Sequence, residues 1–197
     1  MLKHIISFFS VIYFIMTFVA CQSNVPKSRL TPEEQAKLIS EGKAVTMFSF
    51  KALSSELIKA IETGGVEKAV DYCHLEAIPL TDSLSKNYKA EIKRVSDKYR
   101  NPGNKPDELD MKVISAYRQQ LANDQELQPH LEVTGDTVYY YSPILILNPL
   151  CLQCHGEPGN TMQPENDRFI KAKYPEDKAT GYKLGDLRGV WKVMFNV

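Results

Sequence analysis

Apolar residues fall along this chain in three rhythms, and each predicts a different element. From Ile5 to Ala20 they run almost unbroken, interrupted only by Ser7, Ser10 and Thr17. From Thr31 to about Thr63 the composition is helical. Thr31 can cap that helix, Pro32 suits its first position, Glu34 completes a capping box, and Gly64-Gly65 stops it. Val66 to Cys73 predicts a second, short helix; Pro79 then interrupts the chain, and Leu80 to Asn87 predicts a third. Glu91 to Ser96 alternates as a strand does, and Arg100-Asn101-Pro102-Gly103-Asn104-Lys105-Pro106 is dense in turn formers. A further helix is expected from about Pro106 to Leu121, with Ile114, Tyr117 and Leu121 on one stripe.

The second half turns to period two. His130 to Val133 and Thr137 to Leu147 predict two strands around Thr134-Gly135-Asp136, a hairpin signal. Gly156 to Gly181 is polar, with little periodicity. Arg188 to Val197 predicts a last strand, with Val190, Lys192, Met194 and Asn196 on one face and Trp191, Val193, Phe195 and Val197 on the other. The chain has no internal repeat and no low-complexity tract. Helices first, led by a long N-terminal one, and an antiparallel sheet afterwards predict an α+β fold. Its 197 residues suffice for one domain with one core.

The run from Ile5 to Ala20 is short for a membrane-spanning helix and suits the apolar region of a signal peptide. It ends in Phe18-Val19-Ala20-Cys21, which has the form of a lipobox with Phe where Leu is usual. Residues 1–20 are therefore expected to be a lipoprotein signal peptide and Cys21 the lipidated N-terminus. Residues 21–30 would be a tether, and residues 31–197 the folded domain. A plain signal peptide and an uncleaved anchor are the alternatives. This places the domain on the periplasmic side of a bacterial membrane. Residues 1–20 carry one basic residue, Lys3, so the mature chain has 23 basic against 24 acidic residues. Near-neutrality gives no basic field for nucleic acid.

Four cysteines in an exported chain invite two disulfides, but their positions argue otherwise. Cys21 sits at the processing site. Cys151 and Cys154 lie three apart, directly before His155, which leaves Cys73 without a partner. Cys151-Leu152-Gln153-Cys154-His155 is the attachment motif of a c-type haem. Two thiols add across the haem vinyl groups, and the adjacent His becomes the proximal iron ligand. A thioredoxin-type Cys-x-x-Cys would need an α/β unit that is missing here, and half a zinc site would need further ligands at zinc spacing. One covalently held haem c per chain is the expectation.

Opposite the proximal His, small electron carriers use a second His or a Met. The candidates are Cys73, His74, His130 and several Met residues. Cys73 and His74 are neighbours on a predicted helix, where side chains diverge by about 100°, so only one can face an iron. Cys73 follows an apolar stripe of Val66, Ala69 and Val70, with Ala77 beyond. His74 shares its side with Val70, Asp71 and Glu67. A buried Cys acting only as a small hydrophobe explains the same stripe.

Four pieces, in order, carry a family resemblance. They are the Cys73 helix before Ala77-Ile78-Pro79, the segment from Arg94-Val95-Ser96 to Arg100-Asn101-Pro102-Gly103-Asn104, the Cys151 to His155 motif, and Gly181-Tyr182-Lys183-Leu184-Gly185-Asp186-Leu187-Arg188-Gly189. On these the chain resembles the exported, PAS-like c-type haem domains often fused to bacterial sensor kinases. The resemblance spans most of the mature chain. It implies an antiparallel sheet flanked by helices, one haem, and His/Cys axial ligation with the axial Cys at Cys73. His74 remains the alternative ligand.

Haem propionates want cations, and Arg94, Arg100 and Arg188 are candidates, with solvated surface arginines as the plain alternative. Tyr139 and Tyr141 share one strand face and Tyr140 the other; one face could line the haem, Tyr141 included, and core packing explains the aromatics equally. Asn101 and Gly103 shape a turn. The expected function is redox or small-gas sensing on a membrane-tethered mono-haem domain, acting through a separate redox or signalling partner protein. The alternative is a lipid-anchored periplasmic electron carrier. An enzyme would need an open iron with distal acid–base groups, which only His74 or His130 could readily supply, and none is expected.

Overall fold

Thr31 starts the first helix as its sequence predicts. In the computed structural model, which describes residues 30–88 and 90–196, its hydroxyl accepts from the Glu34 amide while the Glu34 carboxylate accepts from the Thr31 amide. The expected signal peptide, lipidation at Cys21 and tether through residue 29 lie outside the described residues. The helix, α1, runs Pro32–Leu75 with non-helical backbone at Gly64 and Gly65, so it is two helices across a kink. Gly65 has φ +67°, a left-handed value that glycine adopts freely. The second helix α2, Ala77–Tyr88, begins earlier than predicted. Pro79 sits inside its first turn, where a missing N–H costs nothing, so this proline does not break the chain.

Strand β1, Glu91–Val95, is followed by a single 3-10 turn at Pro102–Asn104, with the Asn101 side chain accepting from the Gly103 amide. Helix α3, Glu108–Ala122, starts later than the sequence suggests because Asp107 and Asp110 form its capping box. The hairpin forms as β2, His130–Thr134, and β3, Thr137–Leu145, the latter stopping short of Leu147. Two short helices follow that periodicity did not announce: α4, Pro149–His155, and α5, Pro164–Lys173. Strand β4, Leu187–Asn196, closes the fold.

The four strands form an antiparallel sheet in the order β1-β4-β3-β2. The last strand thus enters the middle, between β1 and β3. Its alternation sorts the core into two layers. Trp191 and Val193, with Ile92 and Tyr140, pack under Val45 of α1 and Leu84 of α2. Val190 and Leu187, with Val95 and Tyr141, pack under Val113, Ile114 and Tyr117 of α3. Tyr140 and Tyr141 therefore take opposite faces, as alternation requires. Gly42 allows α1 to approach the sheet, since a Cβ there would lie 2.3 Å from the Tyr140 ring. The fold is α+β with a long N-terminal helix, as the sequence predicts.

Candidate cofactor site

Two smaller apolar clusters carry the chemistry away from the sheet. Val70 of α1 packs with Met162, Ile170 and Tyr174, and Cys154 leans against this group. Ile146, Ala179 and Tyr182 form another, with Cys151 and Leu152 against it. Between them and the sheet lies a cavity of about 280 Å³. Its walls are mainly apolar and come from α1, β1, the end of β3, α4 and β4.

Cys151, Cys154 and His155 all line this cavity, and so does Cys73. Local sequence explains how α4 presents the first three. Asn148 accepts from the Leu150 amide at 2.8 Å, Pro149 occupies the first helical position, and the helix ends at Gly156 after two turns. Cys73, Cys151 and Cys154 are free thiols. Burial raises the Cys73 thiol from its ordinary value against the opposing pull of Arg94 and Arg100, and burial lifts Cys154 to about 11 against Arg100. The zinc alternative finds no ligand set, since among the described residues no three His, Cys, Asp or Glu side chains group around a point.

His155 is oriented by the chain that follows. Its Nδ1 donates to the Ala179 carbonyl at 2.8 Å, and its own carbonyl accepts from Tyr182 at 2.9 Å. Nδ1 is thereby the protonated nitrogen, leaving Nε2 bare as a ligand atom. Burial, then Arg188 and Arg100, hold the imidazole well below its ordinary value, against the Ala179 hydrogen bond, so the ring is neutral.

His74 does not line the cavity. It is exposed and meets Tyr174 edge-on, with ring centroids 5.0 Å apart. His130 lies on β2, where Tyr117 and Glu132 are its neighbours. Tyr141 is also absent from the cavity wall. Its hydroxyl donates to Asp110 at 2.6 Å beneath α3, so the expectation that Tyr141 lines a haem is corrected. The β3 residues that reach the cavity are Ile144 and Leu145, followed by Ile146 just beyond the strand's end. Alternation assigned Tyr141 a face correctly, but only the packing of α3 says which face meets the cavity.

The three arginines divide. All three line the cavity, Arg94 and Arg188 without an ion pair among the described residues. Arg94 sits over Trp191 at 5.9 Å, and Arg188 spans Tyr182 at 5.6 Å, with Nε buried and unpartnered. Arg100 differs in having an ion-pair partner. It pairs with Asp177 through Nε and Nη2, each at 3.1 Å, and Nη2 reaches the Cys154 carbonyl at 2.6 Å. Arg100 thereby also braces the backbone of α4 from its place in the cavity wall. Asp177 and Ala179 lie in the stretch that reads as featureless polar chain, and no sequence spacing marked them.

These residues fit a haem. Two adjacent thiols and an imidazole on one helix match vinyl carbons and iron, and Cys73 supplies a second donor to the same space. Two arginines without an ion pair in a mainly apolar cavity call for anions on an apolar body, because a buried charge without a partner is costly. The unpartnered Arg188 Nε is such a demand on this structure.

The family model for Tll0287-like proteins matches residues 15–196. Among solved structures, that of the cyanobacterial heme-protein Tll0287 matches with a TM-score of 0.56 and 26% identity, covering 85% of this chain and 97% of the other. None of the curated proteins matches.

Proposed function

The chain belongs to the Tll0287-like family, and we propose that it is a membrane-tethered mono-haem c-type cytochrome domain that senses redox state or a small gas. The observation that carries this reading is the convergence of Cys73 on the cavity lined by Cys151, Cys154 and His155. Cys151 and Cys154 would hold the haem by thioethers, His155 Nε2 and Cys73 Sγ would bind its iron, and Arg94 and Arg188 would face its propionates. Bound there, haem would supply a one-electron iron couple and a coordination position for small gases.

The chain's own residues define the switch. His155 is held on both sides, by the Ala179 carbonyl and by the Tyr182 amide. Cys73 stands close to the end of α1, beyond the Gly64-Gly65 kink, where a small rotation can withdraw its thiol. As an anionic sulfur donor Cys73 would favour ferric iron, and it would be the exchangeable ligand of the two. Tethering would come from lipid on Cys21, and output from a separate signalling or redox protein.

A second reading is a lipid-anchored electron carrier. Phe50 favours it, because it lines the cavity and is also 59% exposed, so the cavity reaches the surface there. Optical and electron-paramagnetic spectra of wild type, Cys73→Ala and His74→Ala test the site. The expected result is low-spin ferric haem with a thiolate signature, lost only in Cys73→Ala; a change in His74→Ala alone overturns the Cys73 assignment. Carbon monoxide or nitric oxide binding by the ferrous protein at low concentration supports sensing. An inert iron with fast electron exchange supports the carrier.

A further inference from the structure

A buried ion pair behind His155 has no part in the reading above. Asp177, its side chain 1% exposed, faces Arg100 at 13%. Two buried charges are costly to desolvate unless their geometry and remaining hydrogen bonds are nearly complete. Here they are. Asp177 Oδ1 accepts from Arg100 Nε at 3.1 Å and from the Ala179 amide at 2.9 Å, while Oδ2 accepts from Arg100 Nη2 at 3.1 Å. The same Nη2 donates to the carbonyls of Cys154 and Ala179, at 2.6 and 3.3 Å.

Beyond the pair itself, each of these contacts ends on the backbone that bears or faces His155. Cys154 precedes it. The Ala179 amide is held by Asp177, and the Ala179 carbonyl accepts both His155 Nδ1 at 2.8 Å and Arg100. The Ala179 peptide is thus gripped from both ends, and its carbonyl is the group that decides which ring nitrogen of His155 carries the proton. A salt bridge whose only function was cohesion would not need to address a carbonyl already bonded to the imidazole.

We propose that Asp177, through Arg100 and the Ala179 peptide, is a positioning residue that fixes the tautomer and ring orientation of His155. The inference deepens the haem reading, on which its spectroscopic arm rests. Arg100 also shares the Ala179 carbonyl and so limits how strongly that oxygen accepts from Nδ1–H. A stronger acceptor makes the imidazole a more basic ligand and favours ferric iron. Asp177 and Arg100 therefore set the reduction potential as well as the geometry.

The test uses the full chain in two forms. In the haem-free protein, nitrogen NMR of His155 reads the tautomer directly. Wild type is expected to show the Nδ1–H form alone. Asp177→Asn places an amide N–H where the carboxylate met Arg100, and is expected to show both tautomers. Asp177→Glu is expected to restore the single form. In the haem-loaded protein, Asp177→Asn is expected to shift the ferric g-values and move the potential, and Asp177→Glu to return both toward wild type. Should Asp177→Asn not fold, Arg100→Lys replaces it, since a lysine holds the charge but lacks the planar two-nitrogen fork that grips the Asp177 carboxylate. Wild-type tautomer and g-values in a folded variant overturn the inference and leave the haem reading intact. A wild-type chain that attaches no haem overturns that reading, while the haem-free tautomer measurement still decides the role of Asp177.

Discussion

Tyr141→Phe separates a residue of the haem site from a residue of the core. Tyr141 is fully buried under α3, and its hydroxyl donates to Asp110 Oδ1 at 2.6 Å. Asp110 is itself buried, and its carboxylate also meets Lys192 at 2.8 Å. Phenylalanine keeps the ring and leaves no cavity, so the cost is the lost hydrogen bond to a charged group, about 1.5–3 kcal/mol. For a domain of this size each kcal/mol lowers the melting temperature by about 2–4 °C, which predicts a fall of roughly 3–12 °C. Calorimetry on the two proteins measures it. The double variant with Asp110→Asn should lose less than the sum of the two single changes, since both remove one interaction. The optical spectrum of the haem-loaded protein should not change, because Tyr141 lies outside the cavity wall. An unaltered melting temperature together with an altered spectrum would refute the placement of Tyr141.

Three further outcomes follow from the same geometry. In a Cys151→Ala, Cys154→Ala background, where haem is held without thioethers, Arg94→Gln and Arg188→Gln should each weaken haem binding about ten- to a hundredfold, the worth of a charge-assisted hydrogen bond; titration with haem reads it. Gly42→Ala drives a methyl to within 2.3–2.7 Å of three Tyr140 ring carbons and should destabilise by about 1–3 kcal/mol, measured as the urea midpoint. The Lys192 pair with Asp107 and Asp110 sets a pH window. Burial would raise Asp107, but hydrogen bonds from Lys192 and Asp110 and the Lys192 charge outweigh it, so its pKa falls below 3.8 and its stabilisation is present above that value and lost on acidification through the lowered one. Burial would lower Lys192, but the Asp107 and Asp110 partners outweigh it and raise its pKa above 10.5, so its stabilisation is present below 10.5 and lost as pH rises through the raised value. Lys192→Met should flatten both limbs of a denaturation midpoint plotted against pH.

The chain by itself determined what depends on neighbours in sequence. The Thr31–Glu34 capping box, the Gly64-Gly65 break, the alternation of Tyr140 and Tyr141, and the Cys151, Cys154 and His155 triad are all local, because caps, kinks, pleats and a haem-attachment motif are built within a few residues. Helices α4 and α5 escaped because they are too short, at 7 and 10 residues, for an apolar period to emerge. Tertiary structure alone decided which face of β3 meets the cavity, that Cys73 rather than His74 lines it, and that Arg100 belongs to Asp177. Each turns on a partner distant in the chain, 31 residues for Tyr141 and Asp110 and 77 for Arg100 and Asp177. Direction at such a range is set by packing of whole elements, which no spacing along the chain encodes. The haem motif could be read from five residues; the peptide that holds His155 in place could be found only where the chain returns to it.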